Sequence, residues 1–172
     1  MFLSCSANAY ETVAVKFPLT EGWRMVEYLP SKPDSMVHYA PSGNFKDNYI
    51  EAVFCHSYKS NQRTLAYAQS MLNKEMGKIT QNISNVKTTP ITTNGKDVMQ
   101  WWCGDTLNGK HCEIMRATPS QEGAMLIRYV NKNEIDFQNK RIDWTERVRL
   151  SAIYYSYFRM NHVLNKEIYY EL

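Results

Sequence analysis

Long apolar runs are missing from this 172-residue chain: no stretch approaches the roughly 18 consecutive apolar residues of a membrane-spanning helix. Glycine and proline are scarce, at 7 and 6 residues, which excludes a collagen-like or low-complexity chain. Neither sign of charge dominates. Twenty Lys and Arg face 17 Asp and Glu, and the pI near 8.6 lies below the level that marks a nucleic-acid footprint. The densest basic stretch, Lys140, Arg141, Arg147 and Arg149, has Asp143 and Glu146 interleaved. On a helix these side chains scatter around the axis instead of lining one stripe. They read as a solvated face, and nucleic acid is rejected as a partner. Also lacking are a G-x-S-x-G elbow, a phosphate loop and a dinucleotide fingerprint. The nine methionines are dispersed and read as core filler, not as copper ligands.

Aromatic residues are what the chain has in quantity: 12 Tyr, 6 Phe and 4 Trp. With 44% hydrophobic residues over this length, the composition suits one folded domain. The expected limits are 10–164 for a single α+β domain, with residues 1–9 as the tail of an export signal or a frayed N-terminus and 165–172 as a C-terminal tail.

Periodicity divides the chain into strands and two helices. Val13, Val15 and Phe17 alternate on one face of a strand. Further strands are expected at Trp23–Tyr28, Met36–Ala40 and Tyr49–Tyr58, the last apolar on both sides and so central. Leu65, Ala68, Leu72, Met76 and Ile79 recur at helical spacing, predicting a helix from about Gln62 with Ser60 as N-cap. A polar stretch follows, then the hairpin signal Asn94-Gly95. Strands are expected at Val98–Cys103, Cys112–Ala117 and Ala124–Val130. Asp143 and Glu146 form a capping box, predicting a final helix through about Met160 with Trp144, Val148, Ala152, Tyr155 and Phe158 on one face. The pattern implies an α+β sandwich, a mainly antiparallel sheet with helices on its faces.

The first residues read MFLSCSANA. Ala7-Asn8-Ala9 fits the small-x-small site of a signal peptidase, with Tyr10 next. A second export reading makes Cys5 the lipidated residue of a lipoprotein box, although Phe2 is a poor start for one. Cys103 and Cys112 flank a turn, and a reversal around Leu107-Asn108 sets them opposite each other at a separation that suits a disulfide. Such a bridge persists in an oxidising compartment, which agrees with export to the periplasm or beyond. Cys55 is then left as a buried free thiol or a competitor for one of these partners.

The segment Phe17-Pro18-Leu19-Thr20-Glu21-Gly22-Trp23 resembles the strand–Pro–turn–Gly–Trp opening of the Mog1/PsbP-like fold, and the order of elements after it is similar across most of the chain. In that motif Pro and Gly make the turn and Trp fills the sheet face. The family includes plant lumenal photosystem proteins, a Ran-binding protein and bacterial exported proteins, regarded as binding or assembly factors. Together with the N-terminus, the resemblance implies an exported bacterial member, a virulence-associated factor secreted during infection being the finer expectation. It implies no cofactor and transfers no site residue.

Candidate chemistry centres on His38, His56, His111 and His162. Cys55-His56 and His111-Cys112 are adjacent on strands, so each pair points to opposite faces and neither aims at one centre. Zinc would need Cys55, Cys103 and Cys112 to converge as reduced thiols with one His, which contradicts the disulfide, and a Cys55 nucleophile with His38 or His111 lacks an identified base or oxyanion hole. No metal or catalytic residue is assigned. The aromatic surplus points instead to a partner-binding patch of Trp101 or Trp102 with Tyr154 and Tyr157, because exposed Trp and Tyr are enriched at interfaces. The preferred expectation is a non-catalytic exported module that binds an unknown protein. The alternative is a small hydrolase or metal-dependent enzyme using His38, His56 or His111.

Overall fold

Alternation of inward and outward residues organises the centre of the fold. A computed structural model describes residues 8–29, 34–43, 48–158 and 169–171. The strands β1 (Asn8–Ala14), β2 (Arg24–Leu29), β3 (Asp34–Ala40) and β4 (Glu51–Lys59) precede helix α1 (Leu65–Thr80). After it come β5 (Ser84–Thr88), β6 (Thr92–Thr93), β7 (Val98–Thr106), β8 (Gly109–Pro119) and β9 (Gly123–Asn131). Helix α2 (Glu134–Arg149), β10 (Ala152–Phe158) and β11 (Tyr169–Glu171) complete the order. The main sheet runs β2-β3-β4-β9-β8-β7-β5, with β6 also on β7, and every pairing in it is antiparallel. A second sheet joins β1, β10 and β11. The α+β class with a mainly antiparallel sheet and a helix on each face is what the pattern implied.

Each central strand carries apolar residues on both faces because each face has its own helix. Toward α2 point Val53, Cys55, Cys103, Cys112, Ile114, Ile127 and Tyr129, which pack with Phe137, Trp144 and Val148. Toward α1 point Tyr58, Val98, Trp102, Met115, Ala117, Ala124 and Leu126, which pack with Ala68 and Leu72. The motif at residues 17–23 builds one wall of the α2 side. Pro18 leads a single 3-10 turn at Leu19–Glu21, and Gly22 takes φ +60°, a conformation glycine adopts without penalty. Trp23 then stacks on Phe17 at 4.9 Å and meets Trp144 at 5.0 Å, while its indole N–H donates to Glu21 at 2.8 Å.

Both helices depart from expectation at their ends. Helix α1 starts at Leu65, capped by Thr64, whose Oγ1 accepts from the Tyr67 amide at 3.1 Å. Ser60 instead accepts from the Gln62 amide in the preceding turn. Helix α2 starts nine residues before the expected capping box, at Glu134, with Asn133 accepting from the Asp136 amide. Asp143 lies inside it and pairs with Arg147. The helix ends at Arg149, and the expected continuation through Met160 is wrong. The Ile153-Tyr154-Tyr155 run is β-branched and aromatic, a composition that favours strands, and it pairs as β10 with β1 from Ala14↔Ala152 to Asn8↔Phe158. Asn8 and Ala9 belong to β1, so cleavage after Ala9 would leave Tyr10–Ala14 still in that strand. Residues 1–7, including Cys5, lie outside the described residues.

Gly123 closes the turn into β9 at φ +145°, and a Cβ there would run into the Tyr58 carbonyl oxygen and the Ser60 amide nitrogen. Both obstacles are backbone. Gly123→Ala is expected to lower unfolding free energy by roughly 2–4 kcal/mol, read by urea denaturation; a loss under 1 kcal/mol would refute this account of the turn.

Candidate functional site

Strand parity places a set of charged and aromatic side chains under α1. Alternate residues of β4 put Phe54, His56 and Tyr58 on that face, β8 contributes His111 and Glu113, and β9 contributes Arg128. One helical turn beyond Leu72, α1 adds Glu75, its only buried charged residue.

These groups form a continuous hydrogen-bonded chain. Tyr58 donates its hydroxyl proton to Glu75 Oε2 at 3.3 Å. Arg128 Nη1 donates to Glu75 Oε1 at 3.2 Å, and its Nε and Nη2 fork onto the two oxygens of Glu113 at 3.0 and 2.6 Å. His111 Nε2 donates to Glu113 Oε1 at 2.6 Å, the carboxylate being able only to accept. The His111 ring stacks on Trp102 at 5.2 Å. Arg128 also lies 5.1 Å over the Phe54 ring, and Phe54 stacks on His38 at 4.4 Å. Glu113 is 0% exposed and Arg128 8%.

Burial by itself would raise the Glu113 carboxyl, but the Arg128 charge and the hydrogen bonds from His111 and Arg128 outweigh it and hold it at about 2. Burial likewise opposes the Arg128 charge, and Glu113 and Glu75 more than restore it. His56 is pushed down to about 4, mainly by burial and then by the neighbouring Arg128 charge. Its Nε2 is buried without a hydrogen-bond partner, as is the Trp102 indole nitrogen.

On the opposite face, Lys140 sits among Glu51 at 2.9 Å, Asp136 at 3.3 Å and Glu21 at 3.5 Å. Burial lowers this ammonium's pKa, and the Glu51 hydrogen bond with the surrounding carboxylates raises it further than burial lowers it. Tyr129 donates to Glu51 at 2.6 Å. The remaining expected basic residues are also engaged: Arg141 lies 4.6 Å over Trp101, Arg147 pairs with Asp143, and Arg149 pairs with Glu146. They form no basic stripe.

Cys103 and Cys112 are joined in a disulfide across paired residues of β7 and β8. Cys55 is free and buried on the α2 side, its thiol pushed up to about 12 by burial. The sheet therefore separates it from His38, His56 and His111, and a Cys55 nucleophile served by any of these three is excluded; His162 lies outside the described residues. Among the described residues no group of three or more His, Cys, Asp or Glu converges to hold a metal. Trp102 is 0% exposed and is withdrawn from the expected surface patch, because its strand face is covered by α1. Trp101 points the other way and is half-buried beside Phe137 and beneath Arg141. Tyr154 and Tyr157 lie on β10, not on a helix, and their side chains are outside the described residues.

The chain from Tyr58 to His111 was not singled out in the sequence. Its members lie 53 and 15 residues apart at the Arg128 contacts, and only strand register brings them together. A single charged residue in the inward parity of β8, and another in that of β9, was the available signal.

No family model matches the sequence, and no curated protein is similar to it. Among solved structures the chain is similar to the Saccharomyces cerevisiae Ran-binding protein Mog1p, at 11% identity and TM-score 0.53, over 85% of this chain and 95% of that one. The chain has the Mog1/PsbP-like fold. LpqN of Mycobacterium tuberculosis, described as involved in cell envelope biogenesis, aligns at 11% identity over 87% of each chain with TM-score 0.43. No helix among the described residues is long and apolar enough to cross a membrane.

In this Mog1/PsbP-like sheet the ion cluster is tolerated because its charges are mutually paired, so removing one partner is worse than removing several. Arg128→Met leaves Glu113 buried with the His111 hydrogen bond but no guanidinium and is expected to cost about 3–5 kcal/mol of stability. Adding Glu113→Leu should recover at least half of that loss in urea denaturation; a double variant as unstable as the single one would refute the pairing. Because folding depresses the Glu113 pKa below 4.5, its stabilisation is complete above that pH and is lost as the pH falls toward 2. In Glu113→Gln, the loss of stability between pH 4.5 and 2 should be shallower by about 3 kcal/mol, as measured by denaturation at each pH.

Proposed function

We propose that this chain is an exported, non-catalytic module of the Mog1/PsbP-like fold that works by binding a protein partner outside the reducing cytosol. The observation that carries the reading is the Cys103–Cys112 bridge, formed across directly paired residues of adjacent strands. Disulfides of this kind persist in oxidising compartments and are rare where thiol-reducing systems operate. The small-x-small sequence Ala7-Asn8-Ala9 agrees with passage through an export system. Protein binding is supported by analogy with the Ran-binding protein of the same fold, a fold-level argument that says nothing of which partner is bound. Trp101, half-buried beside α2, remains the candidate contact from the aromatic set, with Ile135 and Ile142 exposed two turns apart on the same helix. A half-buried indole suits an interface rim. A role in infection is the finer form of this proposal.

Alkylation of protein taken from its native cells, denatured without reductant, is expected to leave Cys103 and Cys112 unlabelled while Cys55 reacts. Labelling of all three would sink the compartment assignment. A photo-crosslinking residue in place of Trp101 is expected to capture one protein species in that compartment, whereas the same group at Lys74, exposed on α1 across the sheet, captures none. Equal capture at both positions, or none at either, would overturn the assignment of this surface.

A further inference from the structure

Helix α2 carries four basic residues, and carboxylates neutralise three of them. Lys140 meets Glu51, Asp136 and Glu21, Arg147 meets Asp143, and Arg149 meets Glu146. Arg141 is the exception: its guanidinium lies 4.6 Å over the Trp101 ring, and its side chain makes no ion pair or hydrogen bond with the described residues. Its Nε is sealed from solvent without a partner, while the residue as a whole is only half-buried and its terminal nitrogens are not enclosed. A ring, and not a counter-charge, holds this cation in place. Stacking occupies the face of a guanidinium and leaves its N–H groups free in the plane, where two of them match the two oxygens of a carboxylate.

The surroundings of the indole have no carboxylate to spare. On the same flank of α2, Glu134 is engaged by Lys110 at 3.7 Å, and Lys110 also holds Asp105 of β7 at 2.6 Å. Asp97, just before β7, is taken by Arg116 at 2.7 Å. Across the indole, Lys87 of β5 stands opposite Cys103 in the register, so it shares the α2 side of the sheet and is a diagonal neighbour of Trp101. Lys87 is exposed and forms no ion pair with the described residues. Trp101 is therefore flanked by two cations without counter-charges of their own. Ile142, next to Arg141 in the helix, is 80% exposed and adds apolar surface.

Building on the protein-binding reading of this surface, we propose that Trp101 and Arg141 form a preformed receptor for a carboxylate. The partner sets an Asp or Glu side chain into the Arg141 fork and lays an apolar neighbour against Trp101 and Ile142. Because the indole already orients the guanidinium, less side-chain freedom is lost on binding. The ring also shields one face of the guanidinium from water, which strengthens its attraction to an anion. Lys87 extends the positive field, so the segment that fits is acidic beyond the single seated carboxylate, and salt weakens its approach.

The probe is a six-residue peptide of alternating leucine and glutamate, capped at both ends, with a counterpart carrying glutamine for glutamate. Each is titrated into the full chain at low salt and neutral pH, and the Arg141 Nε–H and Trp101 indole N–H resonances are followed by NMR. The glutamate peptide should shift both resonances saturably, and the glutamine peptide should bind about tenfold more weakly or worse. Arg141→Lys keeps the charge but loses the fork, and should weaken the glutamate peptide by a similar factor, read at the Trp101 indole. The peptide comparison uses the wild-type chain, so it decides even if the variant does not fold. Unchanged binding in Arg141→Lys, inorganic phosphate binding as tightly as the glutamate peptide, or no shift at millimolar peptide each overturns the receptor. Equal binding of the two peptides also overturns it while leaving the Trp101 surface standing; that surface itself falls only with the capture experiment at Trp101.

Discussion

Glu113 is enclosed in the sheet, and the fold around it depends on the two-pronged contact from Arg128. A carboxylate without partners in that position would carry a desolvation penalty of several kcal/mol; with the guanidinium fork and the His111 N–H it stays ionised. Because Arg128 also reaches Glu75, the same cation couples β8, β9 and α1. This coupling fixes where α1 can lie along the sheet. Apolar contacts such as Ala68 and Leu72 against Ala117 and Leu126 tolerate sliding more readily than a bidentate ion pair does. The cluster thus supplies register, a role better attested for buried ions than net stability.

The opposite face is organised by ring packing. Tyr129 stacks on Trp144 at 4.2 Å, and Trp144 in turn meets Trp23, which stacks on Phe17. Arg116 closes the far end: its Nη1 donates to the carbonyls of Val148 and Ser151, and its Nε to Asp97 at 2.7 Å. A cation there satisfies the C-terminal carbonyls of α2 and opposes its dipole. The helix therefore stops beside β8, and Ser151 starts the return into β10. The two faces use different chemistry for one purpose, and the central strands need apolar residues of both parities.

The sheet was legible in the sequence because its strongest strands are the ones most constrained. β4 reads as two-faced, and β7 and β8 read as a hairpin whose cysteines face each other. The turn at Phe17–Trp23 carried the fold resemblance because proline, a glycine with positive φ and a stacking indole are each needed by type. β5 was missed since Ser84–Thr88 is a polar edge strand with little to bury, a composition that reads as loop. The tyrosine-rich run after Arg149 fits helical spacing by coincidence, and its strand identity comes from pairing with β1, 138 to 150 residues earlier along the register. Of the site, the disulfide was legible because its ends lie only nine positions apart. The ionic chain was not, since no local spacing encodes contacts between three strands and a helix.

The position of Cys55 has a consequence for how the chain matures. Across the sheet, Cys55 lies opposite Ile127, whereas Cys112 lies opposite Asn131, whose β4 partner is Glu51. Four residues along a strand is about 13 Å, beyond the reach of sulfur–sulfur exchange. Once β4 and β8 have both zipped onto β9, the odd thiol is sequestered and a scrambled bridge no longer forms. Oxidative misfolding is confined to the interval before that zipping, so fidelity of pairing is set by the speed of sheet assembly and not by the chemistry of the thiols.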